Sequence, residues 1–204
     1  MTDHEMPGTG FLEVPATTDE VQRIYDADVE RMGFVMNLSR LWAHRPAAKE
    51  SLFAMMDDAA HATGLSPRQI GIVITACAST LGDSYCSLAW GGKLTKAAGG
   101  DADIATGVLT GDDERLDPSE RALAAWARDV ARDPSGTTPI DVESLRDAGF
   151  DDDQIFAITL FVALRIAFST VNAALGASPD GELIDRAPST VVDAVTWGRA
   201  VVTG

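Results

Sequence analysis

Apolar residues along the chain recur at three- and four-residue intervals, and no stretch alternates apolar with polar long enough to make a strand. The pattern predicts an all-α fold punctuated by explicit helix starts. Thr17-Thr18-Asp19-Glu20 has the side chains of a capping box, with Thr17 as N-cap and Glu20 reaching back; its helix is predicted to run to about Met32, with Gly33 ending it. Ser66-Pro67-Arg68-Gln69 is a second box, with proline at the first helical position, where its missing N–H costs nothing. Asp117-Pro118-Ser119-Glu120 repeats that grammar, and Asp151-Asp152-Asp153-Gln154 opens a long apolar helix that closes at Gly176. Pro46 to about Thr63 and Asp83 to about Ala98 are helical by composition. A short helix is expected after Asp141, stopping at Gly149, and a last one after Pro188, where Val191, Val192 and Val195 share a helical face.

Leu65-Ser66-Pro67 and Leu116-Asp117-Pro118 open two helices with the same punctuation. That echo is compatible with two related helical halves, and equally with a common helix-start grammar. The segment from Asp101 to Glu114, with Gly107, Gly111 and a run of acids, is the expected connection between the halves. Residues 1–16 are expected to be an N-terminal extension and 17–204 a single domain.

Composition narrows the partners. Hydrophobic residues make up 46% of the chain and charged residues 23%, the balance of a soluble globular protein with a substantial core. A net charge of −15 argues against nucleic acid and anionic membrane, both of which need a basic footprint. Two cysteines, Cys77 and Cys86, are too few for a disulfide-stapled secreted fold, and the amino terminus shows no secretion signal. A cytoplasmic protein is the expectation. The apolar run from Ile155 to Leu175 is interrupted by Arg165, Ser169, Thr170 and Asn172, so it is read as a core helix and not as a membrane span. Three scattered histidines without ligand spacing, no glycine-rich phosphate loop and no Ser-His-Asp context lead to an expectation of no metal and no cofactor.

The stretch Leu81-Gly-Asp-Ser-Tyr-Cys-Ser-Leu-Ala-Trp-Gly-Gly92 has the frame of a two-cysteine redox motif holding one cysteine. The order "LSPRQIGIVITACASTLGDSYCSLAWGGKL", "LDPSERALAAWARDVARDP", "DVESLRDAGFDDDQIFAITLFVAL" resembles the alkylhydroperoxidase D-like (AhpD-like), carboxymuconolactone decarboxylase superfamily, and within it the peroxidase-related branch. The likeness runs from about Phe34 to Gly176, with the motif region at about 65–98. It implies an all-helical, AhpD-like domain assembling into homo-oligomers, commonly trimers or hexamers. It also implies a site of a glutamate, a CxxC pair and a histidine one turn beyond. In such enzymes the second cysteine attacks a peroxide, the first resolves it, and the glutamate and histidine relay protons.

Carried over position by position, most of that chemistry is missing. The second cysteine falls on Cys86, the first on Asp83, the histidine on Trp90, and the glutamate on or near Gly71, with no acid from Leu65 to Gly82. An indole cannot act as a base. An unperturbed thiol is only about 3% ionised at neutral pH, and a carboxylate one turn away disfavours a second negative charge. Asp83 has two readings, an N-cap bonded to the Cys86 amide or an acid–base group. Cys86 likewise is either a reactive thiol or a small buried hydrophobe, and Cys77 is read as core.

Positions 83, 86, 87 and 90 share one helical face, so Ser87 and Trp90 join Asp83 and Cys86 as candidates. Trp90 adds a flat apolar wall, fit for a bulkier ligand or for plugging a dead site. Arg165, amid Leu164, Ile166 and Phe168, must pair with an acid, reach solvent or meet an anionic ligand. His61 is the histidine nearest the motif and replaces the lost base if the fold brings it in. Three functions compete: a peroxidase working through Cys86 alone; a cofactor-independent enzyme decarboxylating, isomerising, eliminating or cyclising a small organic molecule; and a non-catalytic binding or structural oligomer. Losing base, relay acid and resolving thiol together weighs against the first.

Overall fold

A computed structural model describes residues 10–202. Among them it has eleven α-helices and no strand: α1 (Asp19–Met32), α2 (Asn37–Trp42), α3 (Pro46–Thr63), α4 (Pro67–Thr80), α5 (Ser84–Ala97), α6 (Ala102–Thr110), α7 (Pro118–Arg132), α8 (Pro139–Asp147), α9 (Asp152–Ala174), α10 (Gly181–Arg186) and α11 (Ser189–Ala194). The start signals act as written at three helices. Ser66, Asp117 and Asp151 each accept the amide of the residue three further on, and Gln69, Glu120 and Gln154 return the bond to the cap's own N–H. Gly33 closes α1 at φ +77°.

Three expectations are corrected. Thr18, not Thr17, caps α1, accepting from the Val21 amide; the third helical position is then an apolar side chain, and no reciprocal bond forms. The segment from Asp101 to Glu114 is not a bare connection but carries α6, whose Ile104, Ala105, Val108 and Leu109 are buried. The short helix before Gly149 starts at Pro139, with Thr138 and Asp141 forming the box. Two six-residue helices, α2 and α10, are too short for periodicity to announce. Of the expected extension, residues 1–9 lie outside the described residues; beyond them the Phe11 amide donates to the Leu175 carbonyl at 2.8 Å, at the end of α9.

The core forms where α4, α5, α7 and α9 meet, with Ile72, Val73, Leu94, Leu123, Ile158 and Val162 wholly buried. A second apolar cluster, including Leu41, Trp42, Tyr85, Cys86, Leu88 and Phe168, packs around the N-terminal half of α5. Leu52, Phe53 and Trp90 touch both clusters, so the expected site sits at their junction. α9 is long and apolar enough to cross a membrane by length and composition. Its face from Ile155 through Ile158, Phe161 and Val162 to Phe168 is instead packed into protein, leaving Phe156 exposed on the other side.

Candidate functional site

The site starts from a local event. Gly82, at φ +67°, ends the turn after α4, and Asp83 then opens α5 with its Oδ1 accepting the Cys86 amide at 2.9 Å. One oxygen of Asp83 is therefore a cap. The other, Oδ2, is buried without a protein partner.

One turn on, Cys86 is 3% exposed and faces α9. Arg165 Nη2 lies 3.3 Å from its Sγ, and Arg165 Nη1 lies 3.8 Å from Met56 Sδ on α3. The guanidinium stands 5.5 Å from the Trp90 ring and 5.3 Å from the Phe168 ring. Its Nε has no partner, and no ion pair with any acid of the described residues is formed. Arg165 is 6% exposed, so its charge is largely withdrawn from solvent with no carboxylate of the described residues within ion-pair distance.

Burial disfavours the thiolate at both cysteines. Burial pushes the Cys86 thiol well above the ordinary range, and the nearby Asp83 charge and the hydrogen bond to Asp83 push the same way. Arg165 and a hydrogen bond with Ser169 oppose this without reversing it. Burial raises Cys77 to about 12. Both cysteines are free and buried.

The structure thus brings four of the six candidates together: Asp83, Cys86, Trp90 and Arg165. Ser87 is fully buried and accepts the Trp197 indole N–H at 3.4 Å, on the side of α5 covered by the C-terminal segment. His61 is exposed on the last turn of α3 and makes no hydrogen bond to the cluster. At the place expected for the relay glutamate, a Cβ on Gly71 would stand 3.2 Å from Leu94 Cβ and Cδ1, so close helix packing occupies the space. Among the described residues no group of three or more His, Cys, Asp or Glu can hold a metal.

Sequence reasoning missed Met56 and Phe168 as neighbours of Arg165, Lys93 with its ammonium 4.2 Å from the Trp90 ring, and Asn172. A signal existed for Asn172. Ser169 and Asn172 break the apolar run of α9 at helical spacing from Arg165, on the same buried face. Asn172 lines a cavity of about 340 Å³ together with Gly82, Asp83, Tyr85 and Arg199; of the six candidates, only Asp83 borders it.

With this geometry in place, the class of fold follows from known structures. A peroxidase-related protein from Ralstonia eutropha JMP134, described as an alkylhydroperoxidase AhpD core, superimposes with a TM-score of 0.74 at 24% identity, over 86% of this chain and 94% of that one. A peroxidase-related protein from Silicibacter sp. TM1040 gives 0.75 at 23% identity, over 90% and 97%. The debrominase Bmp8, a cysteine-to-alanine variant in complex with 2,3,4-tribromopyrrole, gives 0.71 at 12% identity, over 90% and 97%. The chain has the AhpD-like all-α fold. No protein-family model and no curated protein sequence matches it.

Proposed function

We propose that the chain is a cofactor-independent enzyme that acts on a small organic anion at the junction of α3, α5 and α9. One observation carries this reading: Arg165 is buried, and its polar contacts are two sulfur atoms, with Nε left over. A buried cation without a counter-charge is costly, and an anionic ligand group placed there offsets the cost. In this reading Arg165 holds the anion and Trp90 and Phe168 flank a flat apolar body. The free Oδ2 of Asp83 removes or returns a proton. Decarboxylation, isomerisation, elimination and cyclisation all need such a group and no electron carrier. The tribromopyrrole complex supports the idea that this fold can seat a flat organic molecule. The single-cysteine peroxidase draws support from the guanidinium at Cys86 Sγ, but burial and Asp83 both oppose the thiolate it requires.

The test is a panel of small aromatic carboxylic acids, each paired with its uncharged methyl ester, screened by thermal shift and then for turnover without added cofactor. Some acids are expected to raise Tm by several degrees over their esters, and Arg165→Gln is expected to abolish the difference. If no acid outperforms its ester, or Arg165→Gln leaves the gain intact, the anion reading is wrong. Steady consumption of an alkyl hydroperoxide with dithiothreitol, lost in Cys86→Ser, would establish the peroxidase instead.

A further inference from the structure

α9 has a second face, turned away from the cluster around Arg165. Phe156, Leu160, Ala163, Ala167, Thr170 and Ala174 follow one another in steps of four and three residues, and all are exposed. Phe156 is 72% exposed and Leu160 37%. After Asp153 the only charged side chain of the helix is Arg165, which points inward to α3 and α5. The outward face is therefore uncharged over about five turns. The exposed positions of α1, α3, α7 and α8, by contrast, all include charged side chains. Only 44% of the apolar stretch of α9 is buried within the chain. Apolar positions alternating three and four residues apart form the seam along which two helices pair.

The face is graded along its length, and the gradient selects its occupant. Bulk stands in the N-terminal half, at Phe156 and Leu160, and small side chains fill the C-terminal half. Against a second copy of α9 running antiparallel, with a two-fold axis beside Ala163, Leu160 falls on Ala167 of the second copy and Phe156 on its Thr170. Bulk then fills the space that small residues leave, and the helices approach closely at the alanines. A parallel pair sets bulk on bulk at one end and leaves a gap at the other.

The charges at the two ends agree with this direction. Asp153, in the first turn, is exposed and forms no ion pair among the described residues. At the other end Arg199 Nη2 donates to the Ala173 carbonyl at 3.1 Å, and Arg199 likewise has no acid among the described residues. Antiparallel pairing brings each Asp153 toward Arg199 of the other copy and opposes the helix dipoles, whereas a parallel pair sets acid against acid. For copies that each carry a net charge of −15, an uncharged face is also where repulsion is least. We propose that α9 is the contact of a two-fold homodimer, pairing antiparallel with α9 of a second copy about an axis beside Ala163. The inference does not depend on the anion site at Arg165, which lies on the opposite side of the helix.

Sedimentation equilibrium of the full chain over a dilution series is expected to show a dimer that dissociates to monomer. Ala163→Glu and Ala167→Glu, both at exposed positions, should each weaken the dimer at least tenfold while leaving the helical circular dichroism unchanged, so that one decides if the other fails to fold. Cross-linking reads the direction, and the native cysteines, both buried, do not interfere. On mild oxidation Ala163→Cys, beside the axis, should form an intermolecular disulfide. Phe156→Cys should not, because its two copies stand about 20 Å apart, beyond disulfide reach. Arg199→Asp should weaken the dimer, and adding Asp153→Arg should restore it. A monomer at every concentration, an assembly indifferent to both glutamate variants, or cross-linking of Phe156→Cys as readily as Ala163→Cys each overturns the proposal. So does a monomer that partitions onto phosphatidylcholine vesicles, which would make lipid the occupant of this face.

Discussion

Two arginines of the same chain show how differently one side chain can be used. Arg68, in the first turn of α4, is held by both oxygens of Glu120, with Nε to Oε1 at 2.6 Å and Nη2 to Oε2 at 2.8 Å. Glu120 Oε2 also accepts the Asp117 amide at 3.1 Å as the returning half of the α7 capping box. One carboxylate thus ties two helix starts together, with planar fork matched to planar fork. Arg165 lies deeper and has no such partner: two sulfurs, two ring faces and an orphan Nε surround it. A guanidinium held by a carboxylate fork is a fastener. An unpaired one at equal or greater depth is an open valence, and this difference separates framework from site.

The largest expected effect is on the fastener. Glu120→Ala strands Arg68, frees the Asp117 amide and removes half of a capping box, and is expected to cost about 2–3 kcal/mol in urea unfolding. A cost below about 1 kcal/mol would mean that Arg68 finds water easily and that the pair matters little.

The thiols beside Arg165 give an intermediate effect with a definite sign. An unfolded thiol ionises near pH 8.5, whereas burial holds Cys77 up to about 12 and raises Cys86 too. Above about pH 8.5 the unfolded chain releases these protons and the folded chain keeps them. The contribution is therefore complete below that pH and lost as pH rises toward the folded values. Each thiol is expected to lower stability by about 1.4 kcal/mol per pH unit in that window. Urea midpoints of the unaltered chain and a Cys77→Ala, Cys86→Ala double variant, compared from about pH 7.5 to about pH 9, check this, the two thiols together accounting for about 1–2 kcal/mol over that range. Parallel curves would show that the native thiols ionise as freely as unfolded ones.

The smallest effect is expected at Arg165, although it is the more buried arginine. Replacing an uncompensated buried charge by an apolar side chain of similar length is near neutral or stabilising, so Arg165→Met should change stability by no more than about 1 kcal/mol. A loss above about 2 kcal/mol would make Arg165 a second fastener and remove the contrast.

How far the sequence anticipated this depends on the distance over which each cause acts. The boxes at Ser66, Asp117 and Asp151 and the αL glycine after α1 were legible because cap and partner lie within four residues. So was the bond from Asp83 to the Cys86 amide. Between Thr17 and Thr18 the local signal was degenerate: either hydroxyl can cap, and burial of Val21, Ile24 and Asp28 accompanies the register that places Thr18 there. α2 and α10 are held largely by bonds between distant segments. The Asn37 amide is bound by Asp180, and the Arg186 guanidinium reaches the Met32 carbonyl.

The sequence by itself determined the all-α class, most helix starts and the presence of a cation that had to find a partner inside α9. Only the tertiary structure decided what that partner is. Met56 and Cys86 lie 109 and 79 residues from Arg165, and no pattern along the chain shows that neither neighbour is an acid. Capping and periodicity are set by near neighbours in sequence. Desolvation, thiol ionisation and orphaned hydrogen-bond groups depend on everything that surrounds an atom, and that is settled when helices far apart in the chain pack together.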